Sequence, residues 1–279
     1  MEEWLGVCNL KPETRMNKSN PQHSNTPSLH RSILAVIPAR WGSTRFPGKS
    51  LAPLCGKPLI QWVIERARGA RTLGGLIVAT DDERIRRVTE GLGVKTVMTR
   101  PDHPSGTDRI AEAVRDIAAE VVVNVQGDEP LIEPALIDAI GSALAGGQDW
   151  DMSTAAAPIR DEADVARASV VKVVCDARDR ALYFSRAPIP FVREKDSLRT
   201  ADPLYWRHVG IYGYRRSFLD RLVKEPPCLL EAAEKLEQLR ALHLGGRIKV
   251  IRTQDAGLGV DEPADVARAE RALKAAGLA

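Results

Sequence analysis

Residues 33–50 read ILAVIPARWGSTRFPGKS, and this stretch predicts a buried strand that runs directly into a cationic loop. Its first part, 33–37, is apolar and partly β-branched, as expected for a buried first strand. The loop that follows carries Arg40, Arg45 and Lys49 among glycines. Glycine lets backbone N–H groups approach a ligand closely, and three cations together attract a polyanion. The simplest ligand with these properties is a nucleoside triphosphate.

The loop does not match the two best-known phosphate-binding sequences. A P-loop has four residues between its first glycine and the Gly-Lys-Ser/Thr, whereas five separate Gly42 from Gly48, and one of them, Pro47, has no N–H to donate. The glycine-rich dinucleotide fingerprint is also absent. The alternative is an ordinary basic surface loop, but its position directly after a buried strand argues against it. We therefore interpret it as a phosphate-binding loop of another kind.

Length, charge and cysteine content restrict the class of protein. The chain has 279 residues, 44% of them hydrophobic, enough for one large α/β domain or two small ones. The net charge of +3, from 40 basic and 37 acidic residues, gives no reason to expect a nucleic acid partner. No apolar run approaches the roughly 20 residues that span a bilayer. The four scattered cysteines suggest neither a zinc site nor a disulfide framework. We expect a cytoplasmic protein that does not bind membranes.

The N-terminal region, residues 1–32, differs from the rest of the chain. Its second half is mostly Ser, Asn, Pro, His and Gln, with little apolar area to bury, which predicts a disordered extension. It lacks the apolar segment of a signal peptide, and its glutamates argue against a transit peptide. A start codon assigned too far upstream, with Met16 as an internal candidate, is an alternative. We assign residues 33–279 to a single domain.

Strands and helices alternate in the first half of the chain. Four stretches have the composition of buried strands: 33–37, 76–80, 94–98 and 121–125. The helices predicted between them begin at Pro58, at Glu83 with Asp81 or Asp82 as cap, and at Thr107, with Thr107 or Asp108 as cap and an end at Ala119. This alternation predicts an α/β fold with a doubly wound, mostly parallel sheet, in which the most apolar strand, 121–125, is central. Ligands of such sheets bind outside the carboxyl ends of the strands.

The second half is less regular. Its predicted strands are 152–159, 170–175, 181–185, 209–214 and 247–253, with a hairpin turn at 176–180. Its predicted helices are 217–224, 230–244 and 263–276. Prolines frame a charged segment, 192–202, which we expect to be a mobile loop.

Two acidic turns are candidate metal sites. Asp128 follows the predicted central strand, where a carboxylate can hold a Mg²⁺ ion that bridges nucleotide phosphates. The alternative is a turn in which Asp128 accepts hydrogen bonds from nearby N–H groups, but the cationic loop favours metal binding. Asp261 precedes a helix that starts with proline, so its spacing alone favours a helix cap over a second Mg²⁺ ligand.

A polar loop could line a pocket next to these turns. The loop 99–109, TRPDHPSGTDR, offers hydroxyl groups, a glycine and a helix N-terminus, which suit a base or an anion. The alternative is a capping loop, and a lone residue such as His103 is more typical of a surface.

Three later segments have both a functional and a structural interpretation. Arg186 could bind a substrate carboxylate through two parallel hydrogen bonds, or form a surface or interface salt bridge. His208, Tyr212 and Tyr214 alternate on one strand face, which lines a polar pocket or faces an interface. The pair of Glu237 and Arg240 has the i,i+3 spacing of a helix-surface ion pair.

Taken together, these segments resemble the 3-deoxy-manno-octulosonate cytidylyltransferase (CMP-Kdo synthetase) family. The resemblance rests on VIPARWGSTRFPGKSL, GKPLI, IVATDD, MTRPDHPSGTDR, VVNVQGDEP, VKVV, ALYFSRAPIP, RHVGIYGYR, LEQLR and GVDEPADV, in this order from residue 33 to the C-terminus. The sialic acid synthetases share the first loop but are not expected to carry ALYFSR and RHVGIYGYR. The resemblance implies a nucleotide-diphospho-sugar transferase (GT-A-like) architecture with an inserted dimerisation or substrate subregion, and a homodimer.

The resemblance also implies a reaction and a set of residue roles. CMP would pass from CTP to the anomeric hydroxyl of 3-deoxy-D-manno-octulosonate (Kdo), releasing pyrophosphate and giving CMP-Kdo for lipopolysaccharide biosynthesis. Catalysis would depend on Arg40, Lys49 and Asp128. The nucleotide would contact Arg40, Ser43, Thr44, Arg45, Lys49, Arg100, Ser105, Gly106 and Thr107. The sugar acid would contact Gln126, Arg186, His208, Tyr212, Glu237 and Gln238. Mg²⁺ would be held by Asp128 and Asp261. Such a transfer needs charge neutralisation and in-line positioning more than a strong base.

Two features depart from the family pattern. Asp108 stands where many members have Glu, and the segment 254–259 before Asp261 is slightly shorter than usual. Two alternatives therefore stay open: a cytidylyltransferase for 8-amino-Kdo or another sugar acid, and a non-catalytic nucleotide-binding regulatory module. The presence of Lys49, Asp128 and Asp261 argues against the second.

Overall fold

The computed structural model of the chain describes residues 33–43, 45–147, 149–194, 203–254 and 257–279. Four features singled out in the sequence therefore fall wholly or partly outside the described residues. They are the N-terminal extension 1–32, Thr44, the segment 192–202 from residue 195 onward, and residues 255–256 of the segment 254–259.

The elements are numbered in chain order. The strands are β1 (Ile33–Ala39), β2 (Pro53–Leu54), β3 (Lys57–Pro58), β4 (Gly75–Thr80), β5 (Lys95–Met98), β6 (Val121–Asn124), β7 (Met152–Pro158), β8 (Lys172–Cys175), β9 (Ala181–Ser185), β10 (Trp206–Arg215) and β11 (Ile248–Arg252). The helices are α1 (Leu59–Arg68), α2 (Glu83–Gly91), α3 (Gly106–Ala113), α4 (Pro134–Ala145), α5 (Glu162–Ala166), α6 (Arg216–Leu222), α7 (Leu229–Glu234), α8 (Gln238–His243) and α9 (Val266–Ala275). In the ranges described, no helix has the length and apolar character needed to cross a membrane.

One large sheet organises the described part of the chain. Strand β1 pairs in parallel with β4 on one side and with β6 on the other, and β4 pairs in parallel with β5. Strand β10 is antiparallel to both β6 and β7, and β11 is parallel to β7. The resulting order is β11-β7-β10-β6-β1-β4-β5, with the predicted hairpin β8–β9 attached to β10. This confirms the predicted doubly wound, mostly parallel α/β sheet with β6 at its centre.

The sheet is buried on both faces, which explains why its central strands are continuously apolar. Val121, Val122 and Val123 of β6 are fully buried. Helices α1 and α4 cover one face, and α3, α6 and α8 cover the other. Each side chain of this kind contributes about 1.5–3 kcal/mol when it is buried. The packed core thereby fixes the carboxyl ends of β1, β4 and β6 next to one another, where the candidate site residues begin.

Several helices differ from the sequence prediction. Helix α4 is not among the predicted elements, although Pro134 stands in its first turn, a common helix start. Pro58 is the N-cap of α1 and does not lie in its first turn. Helix α3 ends at Ala113, and its N-cap is Ser105 rather than Thr107 or Asp108.

The predicted helix 230–244 is two helices. Lys235, which follows α7, has a left-handed backbone with φ of 53°. This conformation costs an L-residue with a side chain roughly 1–2 kcal/mol and interrupts the helix. The break turns the chain, so that Glu237 and Gln238 lie at the start of α8.

Candidate functional site

The loop after β1 is organised around Trp41, to which the sequence analysis assigns no role. The Trp41 carbonyl oxygen accepts hydrogen bonds from the backbone N–H groups of Ser43 (2.9 Å) and Gly48 (3.0 Å). The indole ring packs on Gly48, where φ is +70° and an added Cβ would lie 2.9 Å from the ring, so this position requires glycine. The Arg84 guanidinium lies 3.4 Å from the centroid of the same ring. These contacts close the loop without the spacing of a P-loop.

A buried ion pair connects this loop to two neighbouring elements. Asp81, which follows β4, accepts hydrogen bonds from the Trp41 backbone N–H (3.4 Å) and from Arg109 of α3 (2.8 Å). Arg109 also donates to the Thr99 hydroxyl at 2.6 Å. The side chains of Arg109 and Asp81 are 4% and 12% exposed, and removing one partner of a buried pair costs about 3–5 kcal/mol. The pair therefore fixes the position of the loop relative to β4 and α3.

Two carboxylates from distant segments converge on the Lys49 ammonium group. Its Nζ lies 2.6 Å from Asp128 Oδ2 and 3.5 Å from Asp261 Oδ1. Arg45 lies 3.1 Å from the same Asp261 oxygen. The two acidic turns are joined by a hydrogen bond from the Val260 N–H to the Asp128 carbonyl oxygen (2.9 Å). The structure thus places four predicted site residues in mutual contact.

The helix-cap role that spacing favours for Asp261 is wrong. The N-cap is the next residue, Glu262, which forms a capping box with Asp265. The backbone N–H of Asp261 donates to the Asp265 carboxylate at 2.9 Å. Its own carboxylate is instead directed toward Arg45 and Lys49. The short segment before Asp261 does not prevent this residue from reaching the vicinity of Asp128.

The donor set of Asp128 and Asp261 fits a Mg²⁺ ion that also binds phosphate. Mg²⁺ prefers oxygen ligands and is commonly held by one or two carboxylates together with substrate phosphates and water. In this structure the Lys49 ammonium lies between the two carboxylates as the cation that they attract. Within the described ranges no cluster of three or more His, Cys, Asp or Glu side chains could hold a metal by protein ligands alone.

These groups line a cavity of about 300 Å³ at the carboxyl edge of the sheet, which we call the cationic cavity. The predicted site residues on its wall are Arg40, Ser43, Arg45, Lys49, Ser105, Gly106, Gln126, Asp128 and Asp261. Arg109 and His103 of the predicted loop 99–109, to which no individual role was assigned, also line it. A concave surface with several cations and a helix N-terminus can hold a polyphosphate.

The loop before α3 contributes two groups whose surroundings differ from expectation. The His103 side chain is only 4% exposed and hydrogen-bonds the Glu112 carboxylate, so it is not a surface histidine. Desolvation by itself would raise the pKa of Glu112, but the interactions with His103 and Arg100 together outweigh it and the pKa is lowered. Asp108, which replaces the Glu of the family pattern, accepts a hydrogen bond from the Ser105 hydroxyl at 2.7 Å and so stays within the loop.

A second cavity of about 230 Å³, which we call the polar cavity, adjoins the first and shares Gly106 and Gln126 with it. The remaining residues on its wall are Thr107, Asn124, Tyr212, Lys235, Leu236, Glu237 and Gln238. Four of the six residues predicted to surround a sugar acid therefore lie together here: Gln126, Tyr212, Glu237 and Gln238. Thr107, predicted as a nucleotide contact, lines this cavity rather than the cationic one.

His208 lies behind the polar cavity rather than on its wall. Its Nε2 is 2.9 Å from the Thr154 hydroxyl, and its ring lies between Phe184 and Tyr212, with centroid distances of 5.0 and 5.5 Å. Burial lowers the pKa of the imidazole to about 3, so the side chain is neutral. The predicted row of His208, Tyr212 and Tyr214 on one strand face is confirmed, because the Tyr212 and Tyr214 rings are 6.1 Å apart. His208 therefore supports the Tyr212 ring from behind.

Arg186 is directed away from both cavities. Its guanidinium donates to three backbone carbonyl oxygens, those of Glu234 (2.6 Å), Ala168 (2.9 Å) and Lys235 (3.4 Å). Its backbone N–H donates to the Glu234 carboxylate at 2.9 Å. In this arrangement Arg186 holds the end of α7 and does not present the two parallel donors expected of a carboxylate clamp.

Two further arginines form ion pairs that the sequence does not predict. Arg100 lies 3.5 Å from Glu112 and is 65% exposed, and it lines a separate groove outside the cationic cavity. Arg240 pairs with Glu231 of α7 at 3.1 Å, not with Glu237. Glu237 is thus not used in the predicted i,i+3 ion pair, and its side chain faces the polar cavity.

Comparison with known proteins agrees with this geometry. The family model described as cytidylyltransferase matches residues 34–248. A 3-deoxy-manno-octulosonate cytidylyltransferase of Bdellovibrio bacteriovorus is 49% identical over 246 residues, which cover 88% of this chain and 99% of that protein. One of Geobacter sulfurreducens is 49% identical over 249 residues, covering 87% of this chain and 100% of that protein.

The fold is also found in solved structures of similar proteins. A solved structure of CMP:2-keto-3-deoxy-manno-octonic acid synthetase complexed with CTP superposes with a TM-score of 0.82 at 41% identity, covering 88% of this chain and 100% of that one. A 4-diphosphocytidyl-2C-methyl-D-erythritol synthase of Anaerococcus prevotii shares the fold alone, with a TM-score of 0.59 at 13% identity. The extent of the sequence match, together with the contiguous cationic and polar cavities, shows that the chain belongs to the 3-deoxy-manno-octulosonate cytidylyltransferase family.

Proposed function

We propose that this chain transfers CMP from CTP to the anomeric hydroxyl of Kdo, with release of pyrophosphate. The observation that carries the proposal is the contact between the two cavities through Gly106 and Gln126. One cavity has the cations that suit a polyphosphate, and the other has the hydrogen-bonding groups that suit a hydroxyl-rich sugar acid. The names of the similar proteins, and the CTP complex of the structural relative, support the same pair of substrates.

The chain contributes to this reaction by neutralising charge and by positioning. Arg40, Arg45 and Lys49 line the cavity where the triphosphate would bind, and fixed cations stabilise charge that develops on the transferred group. The sugar in the polar cavity would approach the α-phosphate from the shared edge at Gln126. The lowered pKa of His208 makes it a weak base, and it lies outside the cavity wall, so we do not assign it that role. This agrees with a transfer that depends on geometry more than on proton abstraction.

Mg²⁺ belongs to the proposal through Asp128 and Asp261. When bound, the ion would neutralise phosphate charge and polarise the phosphoryl oxygens. The carboxylates would hold it, and the ammonium of Lys49, now 2.6 Å from Asp128, would be released to the phosphates.

We further propose a cytoplasmic homodimer that supplies CMP-Kdo for lipopolysaccharide biosynthesis. Leu182 of the hairpin and Phe191 in the following proline-rich segment are 57% and 87% exposed. Large exposed apolar side chains are candidates for burial in a protein interface. The hairpin and the proline-rich segment are therefore the surface on which we place the contact. Sedimentation of the wild type beside Phe191→Ser tests it, and an unchanged dimer would move the interface elsewhere.

The test of the proposed reaction is pyrophosphate release with CTP and Mg²⁺, measured with Kdo, 8-amino-Kdo and N-acetylneuraminate in parallel. We expect release with Kdo, and its loss on addition of EDTA. If pyrophosphate is released only with 8-amino-Kdo, the proposed reaction stands but its sugar substrate is 8-amino-Kdo. Nucleotide binding without turnover of any of the three sugars would refute the proposal in favour of a regulatory module.

A further inference from the structure

The polar cavity contains a buried polar atom that has no role in the family resemblance or in the proposed reaction. Asn124, the last residue of β6, is 2% exposed and lies on the cavity wall. Its Oδ1 atom is buried and has no hydrogen-bond partner among the described residues. Buried polar groups of native proteins are almost always hydrogen-bonded, so an unpaired acceptor at a cavity wall indicates a group that a ligand satisfies.

The orientation of the Asn124 carboxamide is fixed by its other end. The Asn124 side chain favours the ionised form of the Tyr214 hydroxyl and so acts to lower its pKa, as a nearby NH₂ donor does; this hydroxyl lies 3.4 Å from the Thr107 hydroxyl. Tyr214 is only 1% exposed and is held in the core. Since the nitrogen is used in this way, the oxygen is the end of the amide that remains for the cavity.

A complementary group lines the same cavity. Gln238 is 4% exposed, its Oε1 accepts a hydrogen bond from the Tyr212 hydroxyl at 3.4 Å, and its Nε2 has no partner within the described ranges. The cavity thus presents one unpaired acceptor and one unpaired donor. A hydroxyl group can donate and accept at the same time, whereas a carboxylate can only accept. The acceptor therefore selects the hydroxyl-bearing part of a ligand, not its acid group.

We propose that Asn124 determines substrate specificity, because its Oδ1 accepts a hydrogen bond from a sugar hydroxyl other than the one that attacks CTP. This inference rests on the proposed function. Sites built to hydrogen-bond a hydroxyl reject analogues that lack it, since the protein group is then left buried and unpaired. Asn124 is the residue that enforces such a rejection here.

The test is a cycle of variants and substrates that uses the full chain. The rate parameter kcat/KM is measured with Kdo and with deoxy analogues that lack one non-anomeric hydroxyl each. The variants are Asn124→Ala, which removes the acceptor, and Asn124→Asp, which retains it. Tyr183→Phe on β9 is the matched control, because it removes a tyrosine hydroxyl that lies on neither cavity wall. Asn124→Ser replaces the alanine variant if that one does not fold.

We expect the wild type to discriminate by about tenfold or more against one analogue, the equivalent of one lost hydrogen bond. Asn124→Ala should lose that discrimination and leave the KM for CTP unchanged, whereas Asn124→Asp and Tyr183→Phe should retain it. Unaltered discrimination in Asn124→Ala, or an equal rise in the KM for CTP, would overturn the assignment while the reaction itself stands. A wild type that turns over no sugar acid would overturn both.

Discussion

The cationic cavity and the polar cavity share an edge but are built in different ways. The charged groups of the first are long side chains on loops, with Arg45 61% and Asp261 52% exposed. The polar groups of the second stand on a strand and a helix, and Asn124 and Gln238 are almost fully buried. Charge attracts a polyanion over a distance, whereas buried neutral groups select by the geometry of single hydrogen bonds. Changes in one cavity should therefore affect the nucleotide, and changes in the other the sugar.

The largest effect is expected at Asp128, which lines the cationic cavity two residues after Gln126 of the shared edge. Asp128→Asn removes one charge from the pair of carboxylates around Lys49. We expect kcat to fall by about 10³-fold or more, since a metal site supplies several kcal/mol of charge stabilisation and each 1.36 kcal/mol is a factor of ten. The measurement is the initial rate of pyrophosphate release, with the circular dichroism spectrum unchanged.

A neighbouring carboxylate provides the control for this change. Glu262→Gln alters a 57% exposed side chain whose ion pair with Arg45 is 3.8 Å long. Exposed pairs of this kind contribute about 0–1 kcal/mol, so activity should change by less than about fivefold. Near wild-type activity in Asp128→Asn would remove that residue from the metal role.

The buried pair beneath the cationic loop should affect the nucleotide alone. Asp81→Asn leaves Arg109 without its carboxylate partner and weakens the support of Trp41. We expect a rise of about tenfold in the KM for CTP and a lower thermal midpoint, because an unpaired buried charge is costly. The control, Glu65→Gln, removes the charge of an α1 carboxylate whose exposed pair with Lys57 lies outside both cavities. Equal effects of the two variants would contradict the positioning role.

The corresponding substitution in the polar cavity should have a smaller effect on kinetics. Tyr212→Phe removes one hydroxyl, which donates to Gln238 at 3.4 Å. A neutral hydrogen bond contributes about 0.5–1.5 kcal/mol, so the KM for the sugar acid should rise by about three- to tenfold at constant KM for CTP. Tyr183→Phe on β9, away from the cavity wall, should leave both constants unchanged. A rise in the KM for CTP instead would place Tyr212 in the nucleotide half.

The smallest effect on activity is expected at His208, which supports the Tyr212 ring from behind the polar cavity. The His208 pKa is about 3 in the folded chain and close to 6.5 when unfolded. Between these values the unfolded state binds a proton that the folded state does not. His208 therefore makes stability fall as the pH drops from about 6.5 toward 3, with a slope of up to about 1.4 kcal/mol per pH unit.

Urea unfolding at pH 7, 6 and 5 measures this slope. His208→Gln should show a shallower loss of stability than the wild type. The exposed His243 is the control, and His243→Gln should keep the wild-type slope. A slope that is the same in all three proteins would mean that His208 titrates normally.

The cationic cavity could be predicted from the sequence because its residues follow strand ends directly. Arg40, Lys49 and Asp128 stand within short segments after β1 and β6, and the parallel arrangement of these strands brings such segments together. The contact of Asp261 with them could not be derived from its spacing, which favours a cap. It entered through the family resemblance, and the structure shows why: Glu262 takes the capping role.

The polar cavity was harder to predict because tertiary contacts decide the partners of its side chains. Arg186 stands at a strand end like a ligand clamp, but the end of α7 offers it carbonyl oxygens nearby. In the sequence pattern, Asn124 looks like any other polar residue at the end of a strand. Trp41 likewise looks like any other aromatic residue in a loop. Only the left-handed turn at Lys235 brings α8 to the cavity, and no sequence pattern indicates it.

The central claim, that two adjoining cavities divide the substrates between them, is tested most directly by one kinetic matrix. Pyrophosphate release is measured over a grid of CTP and Kdo concentrations for the wild type, Asp81→Asn, Tyr212→Phe and the double variant. We predict that the first change raises only the KM for CTP, that the second raises only the KM for Kdo, and that the double variant shows both effects independently. If both single changes raise the same constant, the division of the site into a nucleotide half and a sugar half is wrong.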